Sequence, residues 1–399
     1  MPTAKTASAA PSRPTHRLVL VGLMFVGFIS LGLPDGLLGV AWPSIAARHG
    51  VGLDALGYLL AASSVGFLAV SVLSGRLLAF LGVGMLLASC CVATALSLIG
   101  LALAPVWWML LPLALLLGAG GGAIDAGLNN YAAATTSPRV LTWLHACYGL
   151  GATAGPALMT TLLSRKHPWQ WGYLIVGGGQ LALALCFVLT RGRWAAAGSA
   201  EAHDVQSQVT LRATLGLPAV WLSVALFALY TGLEVSAGQW TYTLFTVGRG
   251  IEPVAAGQWV GFYWAGLTVG RVVAGAVAGR LTPRTLLWLG SGGAVAGAAL
   301  LGLVTTPWAS VTGMVLMGTA LAPIFPALIG TTVERVGRLH AGNAIGLQVA
   351  SANLGAAMIP WGVGWAVTTL SVTTIGPAIV VVALAYLALF VVAMRVRSA

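Results

Sequence analysis

Apolar residues in this chain do not alternate with polar ones. They run in long stretches, with most charged residues held in the gaps between them. A stretch of roughly 20 apolar residues crosses about 30 Å of hydrocarbon as an α-helix. Twelve such stretches are legible, near 18–46, 55–79, 82–104, 106–134, 138–164, 170–190, 217–247, 253–281, 284–304, 307–335, 339–369 and 372–394. Several exceed the minimum, which permits tilt or kinking. The junctions between the second and third and between the eighth and ninth are the least marked. Residues 1–17 are polar and basic, but the run that follows is too long for a cleavable signal segment and no small-residue cleavage site ends it. It is expected to stay as span 1.

Composition agrees with this reading. Of 399 residues, 58% are hydrophobic and 7% charged, against about 25% charged in soluble domains. So few charges cannot coat a folded chain of this length in water, and the pattern predicts an all-α integral membrane protein. Disordered, collagenous and disulfide-rich classes are excluded. Cys90, Cys91, Cys147 and Cys186 lie inside apolar stretches with no paired spacing, as packing residues do. No P-loop, HExxH, Cys-x-x-Cys or nucleophile-elbow pattern occurs. The GAGGGA run near 118–123 lacks the strand and the downstream acid of a dinucleotide site. Neither an ATP-driven pump nor an intramembrane enzyme is expected, and no cofactor or metal.

The net charge is +11, yet the basic residues stand singly between apolar runs, which argues against a nucleic-acid partner. They map topology instead. With twelve spans and the N-terminus inside, 14 bases, among them Arg76, Arg191, Arg335 and Arg395, fall in inside loops and tails. Only four, Arg48, Arg165, Lys166 and Arg249, fall outside, and Arg271 lies within span 8. This bias places both termini in the cytoplasm of a multi-pass inner-membrane protein.

The one long polar connection, 191–216, divides the chain. The expected organisation is a tail at 1–17, a six-helix bundle at 18–190, the linker at 191–216, a second bundle at 217–394 and a tail at 395–399. The halves echo one another. Gly57, Gly66 and Gly75 recur as Gly257, Gly266 and Gly275 at an offset of 200, and Asp35 and Gly39 meet Glu234 and Gly238 at 199. Leu150, Gly151 and Pro156 match Leu354, Gly355 and Pro360 at 204. Two parallel six-helix repeats about an axis along the membrane normal are one transporter arrangement.

These features resemble the major facilitator superfamily over nearly the whole chain. Within it, the chain looks most like the fucose:proton symporter family and its sugar-transporter relatives. The closer likeness rests on Asp35, on Asp125 within GAGGGAIDAGLNNYAA, on YTGLEVSAGQW from Tyr230 to Trp240, and on APIFP at 322–326 followed by NLGAAMIPW at 353–361. The superfamily loop pattern, roughly G-x-x-x-D-R-x-G-R, is degenerate. Gly275, Arg280 and Arg284 fit it, while Gly279 and Pro283 replace its acid and second glycine. The resemblance makes Arg271, Arg280 and Arg284 gating candidates and implies a monomer.

Five of the eight acids lie at span ends or in the linker; Asp35, Asp125 and Glu234 lie deep within apolar runs. A charged acid at the bilayer centre costs about 2.5–3.5 kcal/mol on insertion scales. Such a residue faces a water-filled cavity, pairs with a base or is held protonated. The three are the proton-coupling candidates. Asp125, Asn129, His145 and Tyr148 are expected to form one polar cluster, with Asn130 beside it, either as a solute site or as an interhelical hydrogen-bond knot. Gly32, Pro34 and Gly36 around Asp35 suggest a locally unwound helix. In the second half, Gln239 and Trp240 suit a sugar, whose hydroxyls need hydrogen bonds and whose C–H face stacks on an aromatic ring. Trp264, Gln348, Asn353 and Trp361 complete the substrate candidates. Other tryptophans, Trp107, Trp108, Trp169, Trp171 and Trp308, mark span ends as interfacial anchors.

The sequence thus predicts a secondary transporter that moves a small hydrophilic solute, most plausibly a sugar, by alternating access coupled to protons or sodium. A drug:proton antiporter of the same fold is the nearest alternative. A non-transporting membrane sensor is the more distant one.

Overall fold

The computed structural model describes residues 14–194, 209–277 and 280–395. The tail residues Lys5, Arg13 and Arg397, the linker residues Glu201, His203 and Asp204, and Gly279 of the loop pattern lie outside the described residues. Among those described, the secondary structure is helical throughout. The helices are α1 (Pro14–His49), α2 (Leu56–Leu103), α3 (Leu110–Thr135), α4 (Pro138–Ser164), α5 (Gln170–Thr190), α6 (Leu211–Leu215), α7 (Pro218–Thr243), α8 (Pro253–Val277), α9 (Pro283–Leu303), α10 (Pro307–Leu321), α11 (Ile324–Gly330), α12 (Thr332–Val336), α13 (Arg338–Thr369) and α14 (Ile375–Arg395).

They make twelve traverses. α2 supplies two, because Gly82 breaks it at φ 69° and ψ 163°, a left-handed turn that only glycine adopts without strain. The limb before Gly82 runs parallel to α3, with Ser63 against Gly118 and Phe67 against Gly122. The limb after it runs antiparallel, with Thr94 against Gly120 and Leu87 against Gly127. The tenth traverse is likewise divided. α10 ends at Leu321 and α11 starts beyond Pro323, because proline in a helix interior removes a hydrogen bond and clashes with the preceding turn.

Ten segments of the described residues are long and apolar enough to cross a membrane. α4 and α13, of 27 and 32 residues, are long enough but carry His145, Tyr148, Gln348 and Asn353. Their neighbours explain the polarity. α4 packs on α1 and α8, and α13 packs on α7 and on α2, so both lie between the halves.

The repeat is physical. A methyl group placed on Gly151 of α4 would lie 2.0 Å from the Ile29 carbonyl of α1, and one on Gly355 of α13 would lie 2.1 Å from the Ala228 carbonyl of α7. Gly151 and Gly355 are 204 apart and Ile29 and Ala228 are 199 apart, the offsets read from the sequence. Backbone meets backbone at both crossings, which only glycine allows. Gly39 of α1 and Gly238 of α7, themselves repeat equivalents, meet each other. A methyl on Gly39 would lie 2.7 Å from the Gly238 carbonyl.

Two local expectations are corrected. α1 remains helical through Gly32, Pro34 and Gly36 rather than unwinding. Gly32 and Gly36 instead admit the Tyr148 and Ala152 carbonyls of α4, at 2.1 and 2.4 Å from where a methyl would sit. Trp169 is core rather than an exposed anchor, packed edge-on against Tyr173 at 5.6 Å. Trp108, Trp171 and Trp308 are exposed at span ends as expected.

Candidate functional site

The two halves meet at one end of the bundle and part at the other. At the end away from the termini, a continuous apolar core joins Leu37, Trp42 and Ile45 of the first half to Leu233, Trp240 and Phe245 of the second. Toward the termini the first half has a core of its own, built on Met24, Phe28, Leu87, Leu128 and Phe187. The central space therefore opens on the side that carries the termini.

Several sequence candidates form the closed end. Trp361 of α13 lies over Gly57 of α2 and against the Tyr58 ring at 6.3 Å. Trp240 is fully buried and its indole N–H donates to the Pro360 carbonyl at 2.9 Å. These two tryptophans seal the interface. Gln239 crosses it, since its Nε2 donates to the backbone carbonyl of Asp35 at 3.0 Å. The amide oxygen of Gln239 and the indole nitrogen of Trp264 are buried without a partner. Both residues adjoin the Gly39–Gly238 crossing. An acceptor and a donor thus stand unpaired beside that crossing.

Just below lies a charged cluster shared by both halves. The Tyr148 hydroxyl of α4 donates to Asp35 Oδ2 of α1 at 2.6 Å. In the second half, Glu234 of α7 pairs with Arg271 of α8 at 3.4 Å and accepts a hydrogen bond from the Tyr230 hydroxyl. Tyr263 of α8 donates to the Glu234 backbone carbonyl at 2.8 Å. Gln239, on α7 with Glu234, links the two groups across the halves through its bond to the Asp35 carbonyl. Arg271 is the internal partner of Glu234. Arg280 and Arg284, the other gating candidates, are exposed near the α8–α9 turn.

Asp125 forms a second, separate centre. Asn129, one turn along α3, donates to it at 3.0 Å. His145 packs edge-on against Phe28 at 5.4 Å, within the field of Arg271. Phe28 is seven residues before Asp35 on α1, so this level lies about 10 Å nearer the termini at 1.5 Å per residue. The expected four-residue cluster around Asp125 thus divides: Asn129 stays with Asp125, while Tyr148 goes to Asp35. Asn130, the next residue on the helix, is exposed on another face.

Two candidates serve their own half. Gln348 is fully buried and accepts from Thr332 of α12 at 3.1 Å, and Asn353 donates to the Val349 carbonyl of its own helix at 3.0 Å. Sequence reasoning missed Tyr230 and Tyr263. Tyr230 stands four residues before Glu234, a spacing that puts both on one helix face, so it was legible. Tyr263 carried no such signal, since its partner lies 29 residues away.

Residues 24–360 match the Major Facilitator Superfamily model, and the chain belongs to that superfamily of multi-pass membrane transporters; it is not an enzyme. Among curated proteins it is similar to the glucose/mannose transporter GlcP of Bacillus subtilis, 23% identical over 65% of this chain and 66% of that one. It is also similar to sodium-dependent glucose transporter 1 of Danio rerio, 23% identical over 84% of this chain and 62% of that one. The chain spans just under two thirds of the length of these relatives. Among solved structures, a bacterial homolog of the human lysosomal transporter Spinster, in an inward-facing and occupied conformation, superposes with a TM-score of 0.71. The two are 16% identical, with 98% of this chain and 100% of that one covered.

Proposed function

We propose that this superfamily member carries a neutral polyhydroxylated solute, a sugar, by alternating access in symport with protons. The observation that carries the reading is the head of the central opening. There the Gln239 amide oxygen and the Trp264 indole N–H are unpaired, and Gln239 also donates to the backbone carbonyl of Asp35. A site built to pair hydroxyls leaves such groups unsatisfied when it is empty. Charge points the same way. Asp35, Asp125 and Glu234 face the interior with Arg271 as the one deep arginine among them, an excess of acid that disfavours an anionic solute. The glucose and mannose named for the relatives are neutral polyols, which favours this reading over a drug:proton antiporter.

The arrangement divides the labour among the acids. Glu234 is held by Arg271 and Tyr230 and acts as a fixed anchor. Asp35 and Asp125 have only neutral side-chain hydrogen-bond partners, Tyr148 and Asn129, so they are the groups through which a proton couples. Asn129, His145, Gln239 and Trp264 line the solute path, Tyr148 holds Asp35, Trp240 and Trp361 close the path, and Arg280 and Arg284 serve the gate at the opposite end. On this reading both termini lie in the cytoplasm, the end that carries them opens inward, and the carrier works as a monomer in the inner membrane.

Reconstitution tests this. The lumenal pH of proteoliposomes is followed while glucose, mannose and fucose are added. Sugar-dependent proton entry that is lost in Asp125→Asn is the expected result. Proton exit on adding cationic drugs sinks it.

A further inference from the structure

A cavity inside the first half meets the central contacts just described at Asp35. It lies between α1, both limbs of α2, α3 and α5. Ten of its thirteen lining side chains are apolar, including Leu38, Leu59, Leu60 and Leu117; the polar three are Asp35, Ser63 and Tyr173. Tyr173 sets the chemistry. It is 2% exposed, and its hydroxyl has no hydrogen-bond partner. A buried hydroxyl without a partner is costly and uncommon in native proteins.

Two occupants fit poorly. Ordered water makes two to four hydrogen bonds, and a wall with ten apolar side chains in thirteen offers few. A sugar would set most of its hydroxyls against hydrocarbon. The complement of this space is an apolar body carrying one polar group.

We propose that the cavity is a binding site for a small monohydroxylated aromatic molecule of the phenol class. Its ring lies among the leucines and its hydroxyl pairs with the Tyr173 hydroxyl. The site shares α1 with the transport path, because Asp35 forms part of its wall.

Fluorine NMR on the full-length purified protein tests this, with 4-fluorophenol and fluorobenzene as probes. Saturable 4-fluorophenol binding is expected. Tyr173→Phe keeps the ring and removes the hydroxyl, so it weakens 4-fluorophenol about tenfold, the worth of one hydrogen bond, and leaves fluorobenzene unchanged. Leu117→Trp fills the space and abolishes both signals. Equal 4-fluorophenol affinity in the parent and Tyr173→Phe overturns the proposal. So does a saturable signal that survives Leu117→Trp, or the absence of saturable binding to the parent. Should the tryptophan variant fail to fold, the contrast between the two probes in Tyr173→Phe still decides.

Discussion

Gly39 and Gly238 hold the same position in the two repeats and touch each other. α1 and α7 therefore cross on the pseudo-twofold axis itself, at the closed end of the molecule. The contact is backbone against backbone, 2.7 Å from any added methyl. Gly39→Val forces the halves apart there. Overpacking of this kind costs about 1–3 kcal/mol, and it falls on the closed state alone. The expected outcome is a wider inter-half separation at that end by pulsed electron resonance between spin labels, with uptake reduced at least about tenfold.

The Asp35–Tyr148 hydrogen bond makes a sharper test of coupling. A hydrogen bond to a charged group contributes about 1.5–3 kcal/mol. Tyr148→Phe is expected to lower proton-driven uptake by about tenfold or more while sugar counterflow, which needs no net proton movement, continues. Asp35→Asn should abolish driven uptake and also spare counterflow. Equal loss of both modes in Tyr148→Phe would assign Tyr148 to solute binding rather than coupling.

Arg271 and Glu234 should respond as a pair. Removing one partner of a fully buried ion pair costs about 3–5 kcal/mol, because the other charge is stranded, and this part-buried pair should show a fraction of that. Arg271→Gln is therefore expected to lower the thermal midpoint of the detergent-purified protein by several degrees. Arg271→Gln combined with Glu234→Gln should recover most of that loss. Failure of the double variant to recover would point to contacts of the guanidinium beyond Glu234.

The two glycine crossings give a test of the repeat. Gly151→Ala and Gly355→Ala each place a methyl about 2 Å from a carbonyl oxygen of the partnering helix. Both should destabilise by amounts similar to each other, about 1–3 kcal/mol. Gly75→Ala and Gly275→Ala, where nothing lies within 4 Å, should be near neutral or slightly stabilising in the helix. Thermal unfolding of the four variants measures the contrast.

The twelve traverses, the division into two halves and the deep acids were all legible along the chain. Each follows from local chemistry: a run of apolar residues must face lipid or a core, and an acid within it needs a reason to be there. The repeat offsets of 199 and 204 were legible too, because close helix crossings demand glycine wherever they fall.

Partnership was decided by the fold. Depth along a helix says which residues can share a level, and it set Tyr148 beside Asp125. The α1–α4 crossing, drawn close by Gly32, Gly36, Gly151 and Gly155, turned its hydroxyl to Asp35 instead. Glu234 was known as a lone acid, and only the packing of α7 on α8 gave it Arg271 and the backbone support of Tyr263. Trp240 and Trp361 look in sequence like sugar-stacking rings; their positions over Pro360 and Gly57 make them the seal. A sequence determines what each residue needs. Which partner meets that need depends on the angle at which helices cross, and that angle is set by contacts between residues as far apart in the chain as Gly57 and Trp361.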